Sequence, residues 1–151
     1  MTAHVYHFDD LPSLVGTHLG YSEYHTVTQE EVNLFADATG DHQWIHVDPV
    51  RAAAGPFGGT IAHGYLTLSL VPVLLSSLWR IEGVAMGINY GTNRVRFTSP
   101  VPVGADVRAG ATLTSLDEVA GGVQLAVDVV VEVRDAAKPA CVAQILTRLY
   151  R

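Results

Sequence analysis

The chain has 151 residues, of which 48% are hydrophobic and 16% charged. A chain of that size and apolarity can bury a core of its own, which excludes disorder as its main state. Lys plus Arg is 9 against 15 for Asp plus Glu, a net charge of −6, so no basic stripe exists to replace counterions on a nucleic-acid backbone and nucleic acid is excluded as a partner.

Cys141 is the only cysteine, so neither an intrachain disulfide nor a cysteine zinc site can form. A reducing compartment, the cytoplasm, is expected. The first eleven residues, Met1 to Leu11, carry His4, His7, Asp9 and Asp10 and no apolar run, so they do not read as a secretory signal. The longest apolar stretch, Tyr65 to Trp79, contains four hydroxyl residues and Pro72. It falls short of the roughly 20 residues that cross a bilayer. It reads as a core helix, and no membrane partner is expected.

In chain order, a strand is expected over 18–27. Thr28-Gln29-Glu30-Glu31 is a capping box, with Thr28 at the N-cap and Glu31 reaching back. Val32, Leu34, Phe35 and Ala38 follow at helical spacing, and Gly40 suits a left-handed stop. This predicts a helix over 29–39. Asp48-Pro49 then pairs an N-cap with a proline at the first helical position, predicting a short helix to about Ala54. The segment 55–59, Gly-Pro-Phe-Gly-Gly, is loop. The apolar stretch predicts a long helix over 64–79. It is apolar on nearly every side, hence expected to be buried all round, with a kink or break at Pro72.

Beyond residue 85 the period changes to two. Val95 and Phe97 alternate with Arg94, Arg96 and Thr98. The runs 107–114, 123–134 and 141–149 alternate in the same way. These are half-buried antiparallel strands, with turns at 100–104, 121–122 and 136–139. One strand, helices, a long apolar helix and four more strands make an α+β layer fold, a curved antiparallel sheet wrapped around the helix at 64–79. That is the hot-dog architecture.

The chemistry-bearing stretch is Thr39-Gly40-Asp41-His42-Gln43-Trp44-Ile45-His46-Val47-Asp48. Ionisable residues lie there beside Trp44 and Ile45, which favour burial. Burial next to carboxylates is how acid/base groups are poised. Asp41 and His46 need a bent loop to converge, because an extended chain separates them by up to ~17 Å. A second signal is Ile61-Ala62-His63-Gly64, where the apolar helix starts. Its first amides have no helical acceptor and carry the positive end of the dipole. Gly64 would either let a substrate oxygen approach the backbone or let helix and sheet pack closely.

Other chemistries fit less well. His42, His46, Asp48 and His63 are metal-ligating types, but Trp44-Ile45 and Pro49 argue against the helix that a His-x-x-x-His pair needs, so no metal is expected. The glycine-rich loop matches neither the P-loop nor the dinucleotide fingerprint. There is no Gly-x-Ser-x-Gly elbow, and Cys141 alternates into a strand core.

The segment Phe35 to Ser69 resembles the MaoC-like (R)-specific enoyl-CoA hydratases and 3-hydroxyacyl-thioester dehydratases. Their signature runs Gly-Asp-x-Asn-Pro-aliphatic-His, then after a loop a His-Gly that opens the central helix. Here it stands as Gly40-Asp41-His42-Gln43-Trp44-Ile45-His46 and Ala62-His63-Gly64. Gln43-Trp44 in place of Asn-Pro, with Asn89-Tyr90-Gly91 and Val95-Arg96-Phe97 downstream, looks like the branch with the nodulation-protein-N-like members.

The resemblance implies a single hot-dog domain over 1–151 that reversibly hydrates trans-2-enoyl-CoA to (R)-3-hydroxyacyl-CoA. Asp41 and His46 would hold the water and handle both protons. The Gly64 amide, with His63 beside it, would receive the thioester oxygen. No redox cofactor and no metal are implied. The substrate is an acyl-CoA and the assembly a homodimer. The family's supporting serine falls at Pro72, where Gln43, Thr67 or Ser69 could substitute for it. Arg94 and Arg96 would face solvent or meet CoA phosphates. Trp44, Tyr65, Leu66 and Leu70 are expected to shorten the acyl tunnel, favouring short to medium chains. Two rivals share the fold: a hot-dog acyl-CoA thioesterase, and a non-catalytic acyl-thioester-binding module.

Overall fold

The computed structural model describes residues 2–151. The chain opens with β1 (His4–His7) and a 3-10 helix at Phe8–Leu14. Then come β2 (His18–Tyr21), β3 (His25–Thr26), α1 (Gln29–Thr39), α2 (Trp44–Val47), α3 (Pro49–Ala53) and α4 (Gly64–Leu78). Five further strands complete it: β4 (Trp79–Glu82), β5 (Met86–Arg96), β6 (Asp106–Val119), β7 (Gly122–Val133) and β8 (Cys141–Tyr150). The main sheet has the order β2-β6-β7-β8-β5, with β3 also on β6, and every pairing in it is antiparallel. A small parallel pair, β1 with β4, stands apart from it.

The sheet is built by the period-two pattern. Val107, Ala109, Ala111 and Leu113 of β6, Leu125, Val127, Val129 and Val131 of β7, and Cys141 and Ala143 of β8 are all buried. They form one core with Leu66, Val71, Leu74, Leu75 and Leu78 of α4. The helix therefore lies along the sheet's inner face, as the hydropathy pattern requires.

Two expectations for α4 are corrected. The break expected at Pro72 is absent: the helix runs continuously through it. Proline removes one backbone bond and costs about 3 kcal/mol inside a helix. Here six buried side chains on both sides of it, Leu66 to Leu78, anchor the helix to the core. The helix is also not buried all round. Tyr65, Ser69, Pro72, Val73 and Ser76 form an exposed stripe at helical spacing, with Tyr65 70% and Val73 57% exposed.

Other differences have local causes. The strand expected over 18–27 is split at Ser22, whose Oγ accepts from the Ala109 amide at 2.8 Å. A side chain thus takes the place of a strand carbonyl, and the chain bends there. β5 starts earlier than the alternation suggests. It is an edge strand, exposed along nearly its whole length, so it has no buried face to impress a period on the sequence. Among the described residues, no helix is long and apolar enough to cross a membrane.

The first turn of α4 is fixed by one contact. A Cβ placed on Gly64 would lie 2.6 Å from Cδ2 of Phe97, just past the end of β5. Phe97 in turn meets Tyr65 edge-on, with centroids 5.5 Å apart. Helix propensity alone favours alanine over glycine by about 1 kcal/mol, but overpacking costs about 1–3 kcal/mol. Gly64→Ala should therefore lower the urea midpoint of unfolding. A variant as stable as the wild type would contradict the contact.

Candidate active site

α1 carries the capping box that its sequence announces: Glu31 N–H donates to Thr28 Oγ1 at 3.2 Å, and the Glu31 side chain accepts from Thr28 N–H at 2.9 Å. Gly40 closes the helix at φ 82°, in the left-handed region. The chain then turns through Asp41, His42 and Gln43, all exposed. A single helical turn follows at α2, where the sequence had argued against a helix. It exists because its neighbours hold it. Trp44 folds back over α3 and the following loop, under the Arg51 guanidinium at 4.3 Å and against Gly55, where a Cβ would lie 2.9 Å from the ring. The Asp48 carboxylate caps α3 by accepting from Arg51 N–H at 3.0 Å. Gln29 of α1 donates to the His46 carbonyl at 2.7 Å and accepts from the Thr60 hydroxyl at 2.7 Å.

These elements bring His46 inward, to 7% exposure. Its Nδ1–H donates to the Ile61 carbonyl at 2.7 Å. A carbonyl can only accept, so the neutral ring carries its proton on Nδ1 and presents an open Nε2. Burial pushes the His46 pKa below the ordinary 6.5, against the Ile61 bond that raises it, with the neighbouring His63 ring lowering it further.

His63 is 3% exposed and precedes α4. Its Nε2–H donates to the Asp41 main-chain carbonyl at 2.9 Å. Its ring stacks on His46, with centroids 3.8 Å apart and planes at 24°. One ligand-type atom from each of Asp41, His46 and His63 lies within 4.8 Å of the others. Asp41 itself stays exposed. A single water can bridge atoms so spaced, at ordinary hydrogen-bond lengths of about 2.8 Å.

The same three residues are the types that bind a transition metal, but their rings do not fit one. The lone pair of an imidazole lies in its ring plane. Two stacked planes cannot both point at an ion about 2.0–2.1 Å from each nitrogen.

A cavity of about 300 Å³ opens beside this cluster. It is lined by His46, Phe57, Gly64, Thr67, Phe97 and Pro100, among others. The first-turn amides of α4 start here without a helical acceptor. Two further hollows of about 310 and 300 Å³ lie farther along α4, between it and the main sheet, and share Pro72, Asn89 and Ile145.

The remaining sequence candidates separate. Gln43 stays in the loop, where its main-chain N–H makes a 3.4 Å contact to the Asp41 carboxylate. Thr67 lines the cavity, but its hydroxyl turns to the His63 carbonyl at 3.4 Å. Ser69 bonds the Tyr65 carbonyl at 2.7 Å on the exposed stripe. Pro72 lies two turns from Gly64 and lines the farther hollows instead. Arg94 and Arg96 are exposed on β5, and Arg96 bonds the Val95 carbonyl at 2.7 Å. Of the side chains expected to shorten an acyl tunnel, Trp44 packs on α3, Tyr65 faces out and Leu66 is buried in the core. Sequence reasoning missed the Ile61 carbonyl, the Gln29 bridge and the Phe97 packing. A main-chain partner leaves no trace in residue type. Phe97 could have been found from its position just before the 100–104 turn.

Comparison with known proteins places the chain in a family. A family model described as the MaoC like domain matches residues 10–135. The chain is 57% identical over 140 residues to 3-hydroxyacyl-thioester dehydratase Z of Mycobacterium tuberculosis, covering 92% of this chain and 93% of that one. It is 49% identical over 142 residues to nodulation protein N of Rhizobium leguminosarum bv. viciae, covering 91% and 88%. Among solved structures, the (R)-hydratase from A. caviae involved in PHA biosynthesis superposes with a TM-score of 0.69 at 27% identity, over 89% of this chain and 96% of that one. With its curved antiparallel sheet around α4, its Gly40-Asp41…His46 turn and its His63-Gly64 helix start, the chain belongs to the MaoC-like family of hot-dog proteins.

Proposed function

We propose that this protein is a hydro-lyase that reversibly adds water across the double bond of a trans-2-enoyl thioester, giving the (R)-3-hydroxyacyl thioester. The observation that carries the reading is the Asp41–His46 pair, within water-bridging distance beside the free amides that open α4. The names of the relatives support the same class: a 3-hydroxyacyl-thioester dehydratase and an (R)-specific enoyl-CoA hydratase.

In the hydration direction, water sits between the His46 Nε2 and the Asp41 carboxylate. The pair takes one proton as the water oxygen forms a bond to Cβ. The Cα=Cβ π electrons move towards the thioester carbonyl, whose oxygen gains negative charge. The Gly64 N–H donates to that oxygen, at the positive end of the helix. The enolate then collapses and Cα takes a proton from the pair. Both groups act as one titrating unit, so the two roles belong to the pair. No redox cofactor takes part in this sequence, and metal is given no role. The acyl chain leads away along the hollows beside α4, towards Pro72 and Asn89. Coenzyme A lies outward, with Arg94 and Arg96 as candidates for its phosphates. A reduced compartment, the cytoplasm, suits the lone buried Cys141.

Asp41→Asn and His46→Ala should each lower kcat on an enoyl-CoA by at least ~10²-fold, the scale of a positioned acid/base group. Loss of the enoyl absorbance should occur without release of free thiol. Thiol release from a saturated acyl-CoA would favour a thioesterase. Binding of acyl-CoA without turnover of any enoyl chain would favour a non-catalytic module.

The partner is a second copy of this chain. β5 is an open edge with Met86, Ile88 and Tyr90 exposed, and the α4 stripe adds Tyr65 and Val73. An unpaired edge flanked by apolar side chains invites pairing. Light scattering should give about twice the 16.2 kDa chain mass. An active monomer at micromolar concentration would contradict this.

A further inference from the structure

Asp41 lies in an exposed loop and is weakly held by its own neighbours. Its main-chain N–H contacts Thr39 Oγ1 at 3.4 Å, and its carboxylate accepts a contact from the Gln43 main-chain N–H at 3.4 Å. The shortest bond it makes among the described residues is the one its carbonyl accepts from His63, at 2.9 Å. His63 can supply that bond only with its proton on Nε2, because the carbonyl has none to give.

The other nitrogen of His63 is unusual. Nδ1 is buried and has no hydrogen-bond partner. Buried polar atoms are almost always paired, and an exception calls for an explanation. A leucine or phenylalanine would fill this slot without an orphaned atom. Two rings already flank it: His46 stacked at 3.8 Å and Phe35 at 4.9 Å. The histidine is therefore not explained by packing alone. What it adds is one directed N–H, aimed at the main chain of Asp41, on a ring whose face supports His46.

We propose that His63 is a positioning residue whose Nε2–H tethers the Asp41 main chain while its ring seats His46, so that one side chain sets the spacing of the acid/base pair. This rests on the reading of Asp41 and His46 as that pair. The titratable groups that face His46 are Asp41, from the loop after α1, and His63 itself, ahead of α4.

Two substitutions divide the ring from the donor. His63→Phe keeps an aromatic ring against His46 and loses the N–H. His63→Gln places an amide N–H close to where Nε2 stood and loses the ring. His63→Phe should lower kcat about 10–100-fold, the effect of a misplaced reacting group, with KM nearly unchanged. Its Tm should equal or exceed the wild type, because the orphaned Nδ1 is gone. His63→Gln should recover most of the lost kcat. A His63→Phe variant with wild-type kcat, one that raises KM alone, or a Gln variant no better than Phe would each overturn the tether. Imidazole 15N and Asp41 carbonyl 13C shifts test the same bond without turnover. The His63 proton should lie on Nε2, and the Asp41 carbonyl should shift in His63→Phe but not in His63→Gln. A proton on Nδ1, or an Asp41 carbonyl indifferent to Phe, overturns it. If the wild type hydrates no enoyl thioester, the assigned reaction falls, and these shifts still decide whether His63 holds Asp41.

Discussion

The place of the first turn of α4 governs the rest of the molecule. The sheet holds the inner face of this helix through Leu66, Val71, Leu74, Leu75 and Leu78. Phe97, beyond the end of β5, closes on Gly64 so tightly that a Cβ does not fit. A helix start seated in this way has amides that cannot drift, and a donor that cannot drift needs no reorganisation when charge develops on a substrate oxygen. Thr67 N–H bonds the His63 carbonyl at 3.1 Å, so the histidine ahead of the helix is fixed by the same turn.

From that anchor the site extends outward. His63 reaches Asp41 and underlies His46, whose own Nδ1–H is taken by the Ile61 carbonyl. Ile61 in turn donates its amide to the Ile45 carbonyl at 3.0 Å, tying the segment before α4 to α2. Gln29 adds a third link, from α1 to His46 and Thr60. A buried imidazole with one nitrogen committed to a carbonyl is neutral and oriented. That is the state a proton acceptor needs and a surface histidine lacks. His42, four residues earlier, makes the contrast. It is exposed and pairs with Asp37 at 2.8 Å, and that contact raises its pKa.

Much of this was legible in the residues. The capping box at Thr28, the Asp48-Pro49 start of α3 and the period-two runs of β6, β7 and β8 are local signals, and local signals survive translation into structure. The Asp41–His46 and His63–Gly64 motifs marked the site through their resemblance to a family, and the fold brings them together. What was not legible depends on long-range contact. Pro72 reads as a break, yet the core on both sides keeps α4 continuous. Trp44 rests against Arg51 and Gly55, partners that lie seven and eleven residues on and that its residue type does not announce. α4 reads as buried all round, because composition cannot reveal which side the sheet leaves open. The β1–β4 pair joins residues some 75 positions apart at His4 and Trp79, and no window of sequence contains both.

The neutral state of His46 is the central claim, and it has a sign that can be measured. Its pKa lies below the ordinary 6.5 chiefly because burial disfavours the charged ring. In the proposed reaction the Asp41–His46 pair takes a proton from water, which it can do only while the His46 ring is uncharged, so kcat/KM for an enoyl thioester should hold its plateau down through pH 6.5 and fall only at lower pH. The same depressed value means that stability drains away as pH drops below 6.5 towards the folded-state pKa, since the unfolded chain takes up the proton first. The decisive measurement is therefore the acid limb of the kcat/KM profile, taken where circular dichroism shows the protein still folded. A limb whose midpoint lies below pH 6.5 is the predicted result. A midpoint at or above it would mean that the His46 ring is stabilised in its charged form, and would contradict the account.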